Sequence, residues 1–498
     1  MPAHDAGGAA RAGWLVLGGA AVALGGAFAA MAGLGDLHAR ARAFLGLFTL
    51  AGVAYGIAAL WVVRRPPPVG RGLAAIIGAG IVFRLILLPS APTLSTDLYR
   101  YLWDGRLGVA GVSPYRYPPN APEVAAFRDA RVYPRLNHVD WRTVYPPGAQ
   151  LLFAALARVA PDRAGAFKLA VMGFDLLTLG LLVGWLQALG RPPTWALLYA
   201  WHPLVIVELA GSGHLDAVPV AASVAALWAA TRGRSTLAGA LLGAGAAVKL
   251  YPLLLLAAVW RPRPVRVVAA ALAVLGAAYA GYAGEGWTVL GSLGRYLGHE
   301  EFNGGVRAGL ERLLGWMGSS GAVAARLLPL GGLAALAAAV AIAGRRGEPS
   351  RRALWLVGGY LLAIPNLFPW YALWIVPLLA VHPLWPWGYL SCAVALTYAV
   401  FYQPVWAIPG WVVAAEFGPL VLGLGLLAGR HPVSFALRRL APGRPRGARA
   451  ARPSAAGVRD GDPPAPGAGP AGAPAASGAG APGSPAMGDM AGGMKPSR

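Results

Sequence analysis

Charged residues are scarce in this chain: only 12% of its 498 residues are Asp, Glu, Lys or Arg, whereas 57% are hydrophobic. A soluble globular protein carries about a quarter charged residues, so this scarcity excludes a water-soluble fold for most of the chain. Long runs almost without charge recur from Trp14 to Gly429. Because about 20 apolar residues cross a hydrocarbon core of roughly 30 Å, the sequence predicts a polytopic membrane protein.

Cysteine is almost absent, since Cys392 is the only one, and this excludes an intramolecular disulfide and a Cys-based metal site. Acidic residues are also few: 20 Asp and Glu against 42 Lys and Arg give a formal charge of +22. In a soluble protein that excess would suggest a nucleic-acid partner. Here the basic residues cluster in short loops and near the C-terminus, and aromatic and basic residues do not interleave as in base-stacking surfaces. We therefore expect membrane lipids as partners and no nucleic acid.

The apolar runs predict an all-α bundle of about twelve transmembrane helices. Short basic loops mark the cytoplasmic side of such bundles, and placing all of them there puts both termini in the cytoplasm of a multi-pass cell-membrane protein. These loops are 64–71, 232–234, 261–266 and 345–352, with the segment after 430. The candidate spans are roughly 14–34, 43–63, 73–89, 166–189, 195–209, 216–230, 267–283, 321–343, 353–365, 371–382, 388–402 and 411–429.

This orientation makes the stretch from Ser235 to Trp260 begin and end on the cytoplasmic side, which predicts a re-entrant hairpin. Pro252 disfavours helical backbone at the residue before it, so we expect two half-helices that meet near Lys249. The alternative is one ordinary helix that violates the topology.

Residues 1–440 are predicted to form the membrane domain, with a large first outer loop at 90–147 and a second at 284–320. Residues 441–498 are dominated by Ala, Gly and Pro. Such a composition cannot bury enough apolar surface to fold, so we expect a disordered cytoplasmic tail.

A polar helix is predicted at the start of the first outer loop, lying at the membrane surface. Ser95 or Thr96 can cap its N-terminus, and Gly105 can end it. Its outward face is expected to carry the polar residues Asp97, Arg100, Tyr101 and Asp104, and its membrane side Leu98 and Leu102.

The two carboxylates on this helix, Asp97 and Asp104, are seven residues or about 10.5 Å apart. That is too far to hold one metal ion side by side, and it exceeds the roughly 5–9.5 Å of a glycosidase acid–base pair. The economical interpretation is one carboxylate that acts alone. A single base suffices when the leaving group is a phosphate, which departs as a stable anion.

These motifs resemble the GT-C superfamily of membrane glycosyltransferases, above all the bacterial mannosyltransferase-type members that use polyprenyl-phosphate sugars. The first-loop motifs are the most specific. The resemblance covers most of residues 73–405. The motifs are Asp97-Leu-Tyr-Arg-Tyr-Leu-Trp-Asp104-Gly-Arg106, Gly111-Val-Ser-Pro-Tyr115, Tyr145-Pro-Pro147, Trp201-His202-Pro203-Leu204, Gly213-His214-Leu215-Asp216, Lys249-Leu250-Tyr251-Pro252 and Asn366-Leu-Phe-Pro-Trp370.

The resemblance implies transfer of a sugar, with mannose preferred, from a polyprenyl-phosphate donor to a lipid or glycan acceptor at the extracytoplasmic face. By position, Asp97 is the base of an inverting displacement; the alternative is a helix cap or an ion pair with Arg100. Asp104 either orients the acceptor or bridges to Arg106. A lipid-linked sugar flippase or transporter, and a glycan ligase or polymerase of the same architecture, are the alternative functions.

Charged residues inside spans cost roughly 2.5–3.5 kcal/mol on insertion scales and are usually retained for a function. Lys249 and Arg84 are candidates to hold the carrier phosphate, although Arg84 can also snorkel from a helix end. Asp175 and Glu208 are expected to pair with them.

The remaining candidates are expected to contact substrate. His214 and Asp216 suit sugar hydroxyls or the phosphate, or alternatively a turn that an Asx-type hydrogen bond stabilises. No cofactor is required by the sequence, although a divalent metal on Asp97, His214 or Asp216 is possible. Arg307 lies in a segment that either contacts substrate or is a solvated loop. The predicted substrate-binding residues are Arg100, Tyr101, Tyr145, His214, Asp216, Lys249, Arg84 and Arg307.

Overall fold

The structure is a computed structural model that describes residues 3–343 and 348–429, with side chains from residue 11 onward. The described part is helical and contains no β-strand, as the sequence predicts. The predicted tail, 441–498, lies outside the described residues. The helices are α1 (Ala3–Leu34), α2 (Ala41–Arg64), α3 (Val69–Leu87), α4 (Asp97–Val109), α5 (Pro147–Val159), α6 (Ala164–Ala188), α7 (Leu197–Ala200), α8 (Pro203–Val205), α9 (Ala217–Thr231), α10 (Ser235–Ala246), α11 (Leu256–Val259), α12 (Pro264–Ala280), α13 (Leu293–His299), α14 (Gly305–Leu314), α15 (Ser319–Ile342), α16 (Pro349–Ala363), α17 (Val376–Val381), α18 (Trp385–Ala393) and α19 (Gly410–Gly429).

Short helices that are not α-helical join several of these elements. One of them is a π-helix, Ile206–Gly211. The others are the 3-10 segments Pro122–Phe127, Tyr133–Arg135, Pro193–Ala196, Tyr251–Leu255, Ala283–Leu290, Gly315–Met317, Pro369–Trp374 and Val394–Tyr402.

Six helices in the described residues are long and apolar enough to cross a membrane: α1 from Arg11, α2, α3, α6, α15 and α19. A pair of helices over Pro264–Ala280 and Ala283–His299, bent by 107°, makes seven if it is counted as one span. The count of about twelve is therefore not confirmed. The other predicted spans correspond to short or broken helices. Several of these have a proline in their first turn, because proline cannot continue the hydrogen-bond ladder of a preceding helix.

The chain breaks at Lys249, as the Lys-x-Tyr-Pro motif predicts. Helix α10 ends at Ala246, and a 3-10 turn begins at Tyr251 with Pro252 in its first turn. Lys249 lies in the break, where α10 packs between α9 and α12. The re-entrant course through a membrane stays a prediction.

Helix α4 does not end at Gly105, so that expectation was wrong. A Cβ on Gly105 would lie 2.6 Å from the carbonyl oxygen of Phe153. Glycine is needed here for close approach, because α4 packs directly on α5, an apolar helix that the sequence interpretation missed. The helix therefore continues to Val109.

Helix α4 is enclosed on almost every side, and the expected outward polar face was also wrong. Leu98 and Leu102 are buried, but so are Arg100 and Asp104, which is only 1% exposed. The helix contacts both α5 and α6. It therefore supports the segment 90–147 from within the fold.

A buried ion pair joins α3 to α6. Arg84 Nε lies 2.5 Å and Nη2 3.0 Å from the two carboxylate oxygens of Asp175, and both side chains are fully buried. Nη1 of Arg84 donates to the carbonyl oxygens of Gly80 and Ala200, at 2.9 and 2.7 Å. The pairing expected for Asp175 is confirmed, and Arg84 does not snorkel.

The predicted second outer loop, 284–320, is largely helical and contacts the predicted first one, 90–147. They are called the second and first outer segments below. Arg116 reaches Glu285 at 2.8 Å, and Arg295 reaches Asp140 at 2.9 Å. The backbone N–H of Ser292 also donates to the carbonyl of Thr143, at 3.2 Å. These contacts join residues of the two outer segments, which line a common cavity.

Candidate functional site

A cavity of about 700 Å³ is lined by both outer segments and the Lys249 break. Ligand sites of proteins commonly measure about 300–1,000 Å³, so this volume suits a substrate site. One wall is aromatic, where Phe302 stacks on Phe368 with ring centroids 4.7 Å apart. Besides His38, the lining residues fall within the segments 93–100, 137–146, 249–251, 293–302, 360–374 and 398–406.

Asp97 lines this cavity from the first turn of α4, and its side chain is 19% exposed. Its expected pair, Arg100, is engaged elsewhere. Its nearest polar neighbours are Nδ1 of His214 at 3.8 Å and the hydroxyl of Tyr101, which lies 3.5 Å from Oδ2. Asp97 is thus an accessible carboxylate. Among the described residues, no Lys or Arg lies within salt-bridge distance of it, and His214 is its one basic neighbour.

Tyr101 lies behind Asp97 and is 1% exposed. Burial, together with the carboxylates of Asp97 and Asp216, raises its pKa well above the usual value of a tyrosine. It therefore stays a neutral phenol, able to donate to Asp97. Its ring stacks on Phe153 with centroids 4.9 Å apart, which fixes its position.

Asp104 belongs to a buried network and does not face the cavity. Nε of Arg100 donates to Oδ1 of Asp104 at 3.0 Å, and the amide of Gln150 donates to Oδ2 at 3.0 Å. Arg100 also donates to the carbonyl of Trp141 at 2.9 Å. Asp104 therefore neither reaches a substrate nor bridges to Arg106. It orients Arg100, which does line the cavity.

Lys249 lines the cavity and is paired with Asp216. Its ammonium lies 2.9 and 2.7 Å from the two Asp216 oxygens, and the indole N–H of Trp374 donates to Oδ1 at 2.6 Å. The ammonium also lies 4.8 Å from the ring centroid of Tyr371. Because Lys249 and Trp374 occupy the Asp216 oxygens, Asp216 does not form the Asx-type turn.

His214 lies between two carboxylates. Its Nε2 is 3.3 Å from Oε2 of Glu208, and its Nδ1 faces Asp97. The ring stacks on Trp370 at 4.1 Å. Glu208 thus contacts neither Arg84 nor Lys249, contrary to expectation. The sequence contained no signal for this contact, because it depends on the π-helix that carries Glu208.

Five of the eight predicted substrate-binding residues do not line the cavity. Tyr101, His214 and Asp216 each contact a residue that does, namely Asp97, Trp370 and Lys249. Arg84 and Arg307 are the other two. Arg84 is bound by Asp175, as described above. Arg307 lies in the first turn of α14, where it pairs with Glu301 at 2.7 Å and Glu311 at 2.9 Å. Glu301 does line the cavity, so Arg307 contacts the site through that residue.

Several cavity residues were missed by the sequence interpretation. Arg142 lines the cavity and makes no hydrogen bond or ion pair with another described residue. It precedes Tyr145-Pro-Pro147, so its position beside that motif was the available signal. Trp141, Trp370 and Tyr371 also line the cavity, although none of the three was predicted to bind substrate.

An ion cluster supports the first outer segment outside the cavity. Arg106 reaches Asp129 at 2.5 Å and Asp162 at 2.9 Å. Partial burial raises the pKa of Asp129, but the backbone N–H of Val132, the Arg106 guanidinium and the N–H of Tyr133 together lower it to about 2. This carboxylate is therefore ionised at all physiological pH values and keeps the segment folded back on α4.

The residues expected to hold a divalent metal do not come together in a metal site. In residues 3–343 and 348–429, no three His, Cys, Asp or Glu side chains converge in a group that could hold a metal ion. Asp216 is taken by Lys249 and Trp374, which leaves Asp97 and His214 alone.

Comparisons with known proteins agree with this geometry. No curated protein and no solved structure matches the chain. A family model described as the alpha-(1→6)-mannopyranosyltransferase N-terminal domain matches residues 6–262, which is more than half of the chain. That segment contains Asp97, His214, Asp216 and Lys249. The chain therefore belongs to the alpha-(1→6)-mannopyranosyltransferase family and is a membrane glycosyltransferase of the mannosyltransferase type.

Proposed function

We propose that this protein transfers mannose from a polyprenyl-phosphate donor to a hydroxyl of a lipid-linked or glycan acceptor at the extracytoplasmic face, with Asp97 as the base. The observation that carries the proposal is the accessible Asp97 carboxylate in the cavity. A hydroxyl is a weak nucleophile, so a carboxylate that accepts its proton as the new bond forms lowers the barrier. The basic loops, which indicate the cytoplasmic side, support the choice of face.

The stereochemistry follows from the use of one carboxylate. A base that activates the acceptor supports direct attack at the anomeric carbon, which inverts its configuration. If the product is alpha-(1→6)-linked, as in the family name, the donor must be β-linked and the attacking group is a primary hydroxyl. The phosphate takes the bonding electrons and leaves without protonation.

The cavity has a suitable cation for that phosphate. Lys249 and Arg100 are each paired with an aspartate, so their charges are largely compensated. Arg142 is the cavity-lining arginine without such a partner among the described residues. We propose that Arg142 supplies the charge for the carrier phosphate, while Lys249 contributes an N–H beside it. A guanidinium suits this role because it forms bidentate hydrogen bonds with phosphate oxygens.

The aromatic wall suits the lipid part of the donor. Phe302, Phe401 and Trp406 lie together, with ring centroids 5.7 Å apart for Phe302–Trp406 and 5.9 Å for Phe401–Trp406. Trp406 is 64% exposed. An exposed aromatic surface that continues into the cavity supports entry of an isoprenoid chain from the membrane side.

The proposal is tested by incubating the purified protein with a panel of labelled polyprenyl-phosphate sugars and oligomannoside acceptors. We expect transfer from β-mannosyl phosphopolyprenol, no transfer from the α-anomer, and an α-linked product. Because the residues present do not fit a divalent metal, we propose that EDTA leaves the rate unchanged within about twofold. Absence of transfer from every phosphopolyprenol would contradict the donor class, and a nucleotide-sugar requirement would replace it.

Replacing Arg142 with glutamine is expected to lower kcat/KM for the donor by about tenfold to a hundredfold, because hydrogen bonds to charged groups contribute about 1.5–3 kcal/mol. KM for the acceptor should stay the same. The measurement is initial rates at varied donor concentration. Arg131→Gln, an exposed arginine of the same outer segment that does not line the cavity, is the control. Equal effects of the two substitutions would remove Arg142 from the phosphate site.

A further inference from the structure

Glu208, His214 and Asp97 form a row of groups that runs from the protein interior to the cavity. Glu208 is fully buried, His214 is 1% exposed, and the Asp97 side chain is 19% exposed. The imidazole presents Nε2 to Glu208 at 3.3 Å and Nδ1 to Asp97 at 3.8 Å. Asp97 is thus the member of the row that lines the cavity.

The buried end of this row is held firmly. Tyr398 donates to Oε1 of Glu208 at 2.7 Å, which leaves Oε2 facing the imidazole. The backbone N–H of His214 donates to the backbone carbonyl of Glu208 at 3.0 Å. The π-helix Ile206–Gly211 that carries Glu208 is a form often found at functional sites.

Gly213 gives His214 its position. Its φ is +76°, in the left-handed region, and a Cβ there would lie 2.6 Å from Leu98. Only glycine fits both restrictions, because other residues strain in this region and add an atom. The turn therefore places the imidazole against α4.

The row contains unused hydrogen-bonding capacity. Oε2 of Glu208 and both ring nitrogens of His214 are buried and form no hydrogen bond with good geometry in the described part of the protein. Buried polar atoms are nearly always hydrogen-bonded, so three unsatisfied atoms in one contact need an explanation. A proton that moves along the row supplies one, because each of these atoms is then a donor or an acceptor at some stage.

We propose that His214 takes over the proton that Asp97 removes from the acceptor hydroxyl, and that Glu208 positions His214 for this transfer. This proposal rests on the proposed function of Asp97. In this relay Nε2–H points toward the Glu208 carboxylate, 3.3 Å away, and the lone pair of Nδ1 faces Asp97. His214 and Glu208 are positioning residues, whereas Asp97 touches the substrate.

The transfer balances without another reactant. The acceptor O–H bond breaks as its oxygen bonds to the anomeric carbon, and the phosphate leaves with the electrons of the broken C–O bond. The proton passes to Oδ2 of Asp97 and then to Nδ1 of His214. The Asp97–His214 gap must shorten by about 1 Å to reach hydrogen-bond length, a change common on substrate binding.

The proton then lies on His214, between the carboxylates of Asp97 and Glu208, and Asp97 has given it up while product is still bound. In the reverse reaction the acceptor oxygen must regain a proton as the glycosidic bond breaks, and Asp97 then has none to give. After product leaves, the proton returns through Asp97 to the open cavity. The relay therefore makes the bond-forming step harder to reverse.

The test compares kcat and KM of Glu208→Gln and His214→Asn. Glutamine keeps the shape of Glu208 without its charge, and asparagine keeps a polar atom near the Nδ1 position but cannot carry the proton. We expect each substitution to lower kcat about a hundredfold, with both KM values within about threefold. The double variant should fall no further than His214→Asn, because groups that act as a unit are not additive.

Glu416→Gln is the matched control. Glu416 is also fully buried, and its Oε2 accepts from the amide of Asn303 at 2.6 Å, but neither residue lines the cavity. We expect its kcat to stay within about threefold of the unmodified protein. Similar thermal unfolding of the two glutamine variants separates a specific effect from a folding defect.

The outcomes are distinguishable. A kcat within threefold of normal for His214→Asn overturns the relay, even if Glu208→Gln does not fold. A rise in KM with kcat unchanged also overturns it, because that result indicates substrate binding. Inactive Asp97→Asn together with active Glu208→Gln and His214→Asn rejects the relay alone. Absence of transfer by the unmodified protein rejects both proposals.

Discussion

Asp97→Asn is expected to reduce mannosyl transfer by about three orders of magnitude. Asparagine has nearly the same shape and can still accept the hydrogen bond from Tyr101, but its amide cannot take a proton from the acceptor hydroxyl. The cavity and the carrier-binding residues are unchanged by the substitution. The measurement is the single-turnover rate with bound donor, which separates the bond-forming step from product release.

The matched control is Asp140→Asn. Asp140 belongs to the same outer segment but is half exposed, pairs with Arg295 and does not line the cavity. Its loss should alter the rate by less than about twofold. Donor affinity of Asp97→Asn should equal that of the unmodified protein. Turnover above one-tenth of normal in purified Asp97→Asn protein would remove the base assignment.

Arg84→Met is expected to lower the free energy of unfolding by about 3–5 kcal/mol, because it leaves the Asp175 carboxylate buried and unpaired. Removing the Asp175 charge as well should restore the stability. The double variant Arg84→Met/Asp175→Leu is expected to recover most of the lost stability, since apolar residues of similar volume often replace a buried ion pair at little cost. The readout is thermal unfolding of the purified protein in detergent, with the shift in Tm compared across the three proteins.

Arg326→Met serves as the control for that series. Arg326 pairs with Glu301 at 3.4 Å, and the two side chains are 57% and 46% exposed. Exposed pairs contribute about 0–1 kcal/mol, so its Tm should hardly change. An Arg84→Met protein as stable as Arg326→Met would show that the buried pair does not support the fold.

The sequence was sufficient to place Asp97, the proposed base, at the start of a helix. Asp97 opens a polar helix after a long apolar run, and such local patterns depend on near neighbours along the chain. The break around Lys249 was also predictable, because Pro252 restricts the backbone before it. Both residues line the same cavity in the structure.

Pairings between distant residues were harder to predict. Arg84 and Asp175 are separated by 91 positions, and Tyr398 and Glu208 by 190. A cation in an apolar run suggests either a ligand site or an ion pair, and only the position of Asp175 beside Arg84 in the fold decides between them. For the same reason, the sequence could not show that Asp104 is buried, because Arg100 and Gln150 bind it only in the folded structure.

Helix boundaries failed where close packing overrides local preference. Glycine is typical of a helix end, but at position 105 it is needed because the carbonyl of Phe153 leaves no room for a Cβ. The shorter apolar runs were interpreted as spans by hydropathy alone, although prolines break them into pieces. Arg142 was missed because loop arginines are usually solvated, and its exposure to a cavity depends on how the outer segments fold.

The cavity is assembled from two stretches of chain, one inside the family match and one after it. The family match ends at residue 262, and the segment before it contributes Asp97, Arg142 and Lys249. The segment after it contributes Phe302, Trp406 and the rest of the aromatic wall. Under the proposed function, substitutions in the later segment change which molecules are admitted and leave the proposed base and the proposed phosphate-binding arginine intact. Substrate selectivity can then vary separately from the chemistry within one polypeptide.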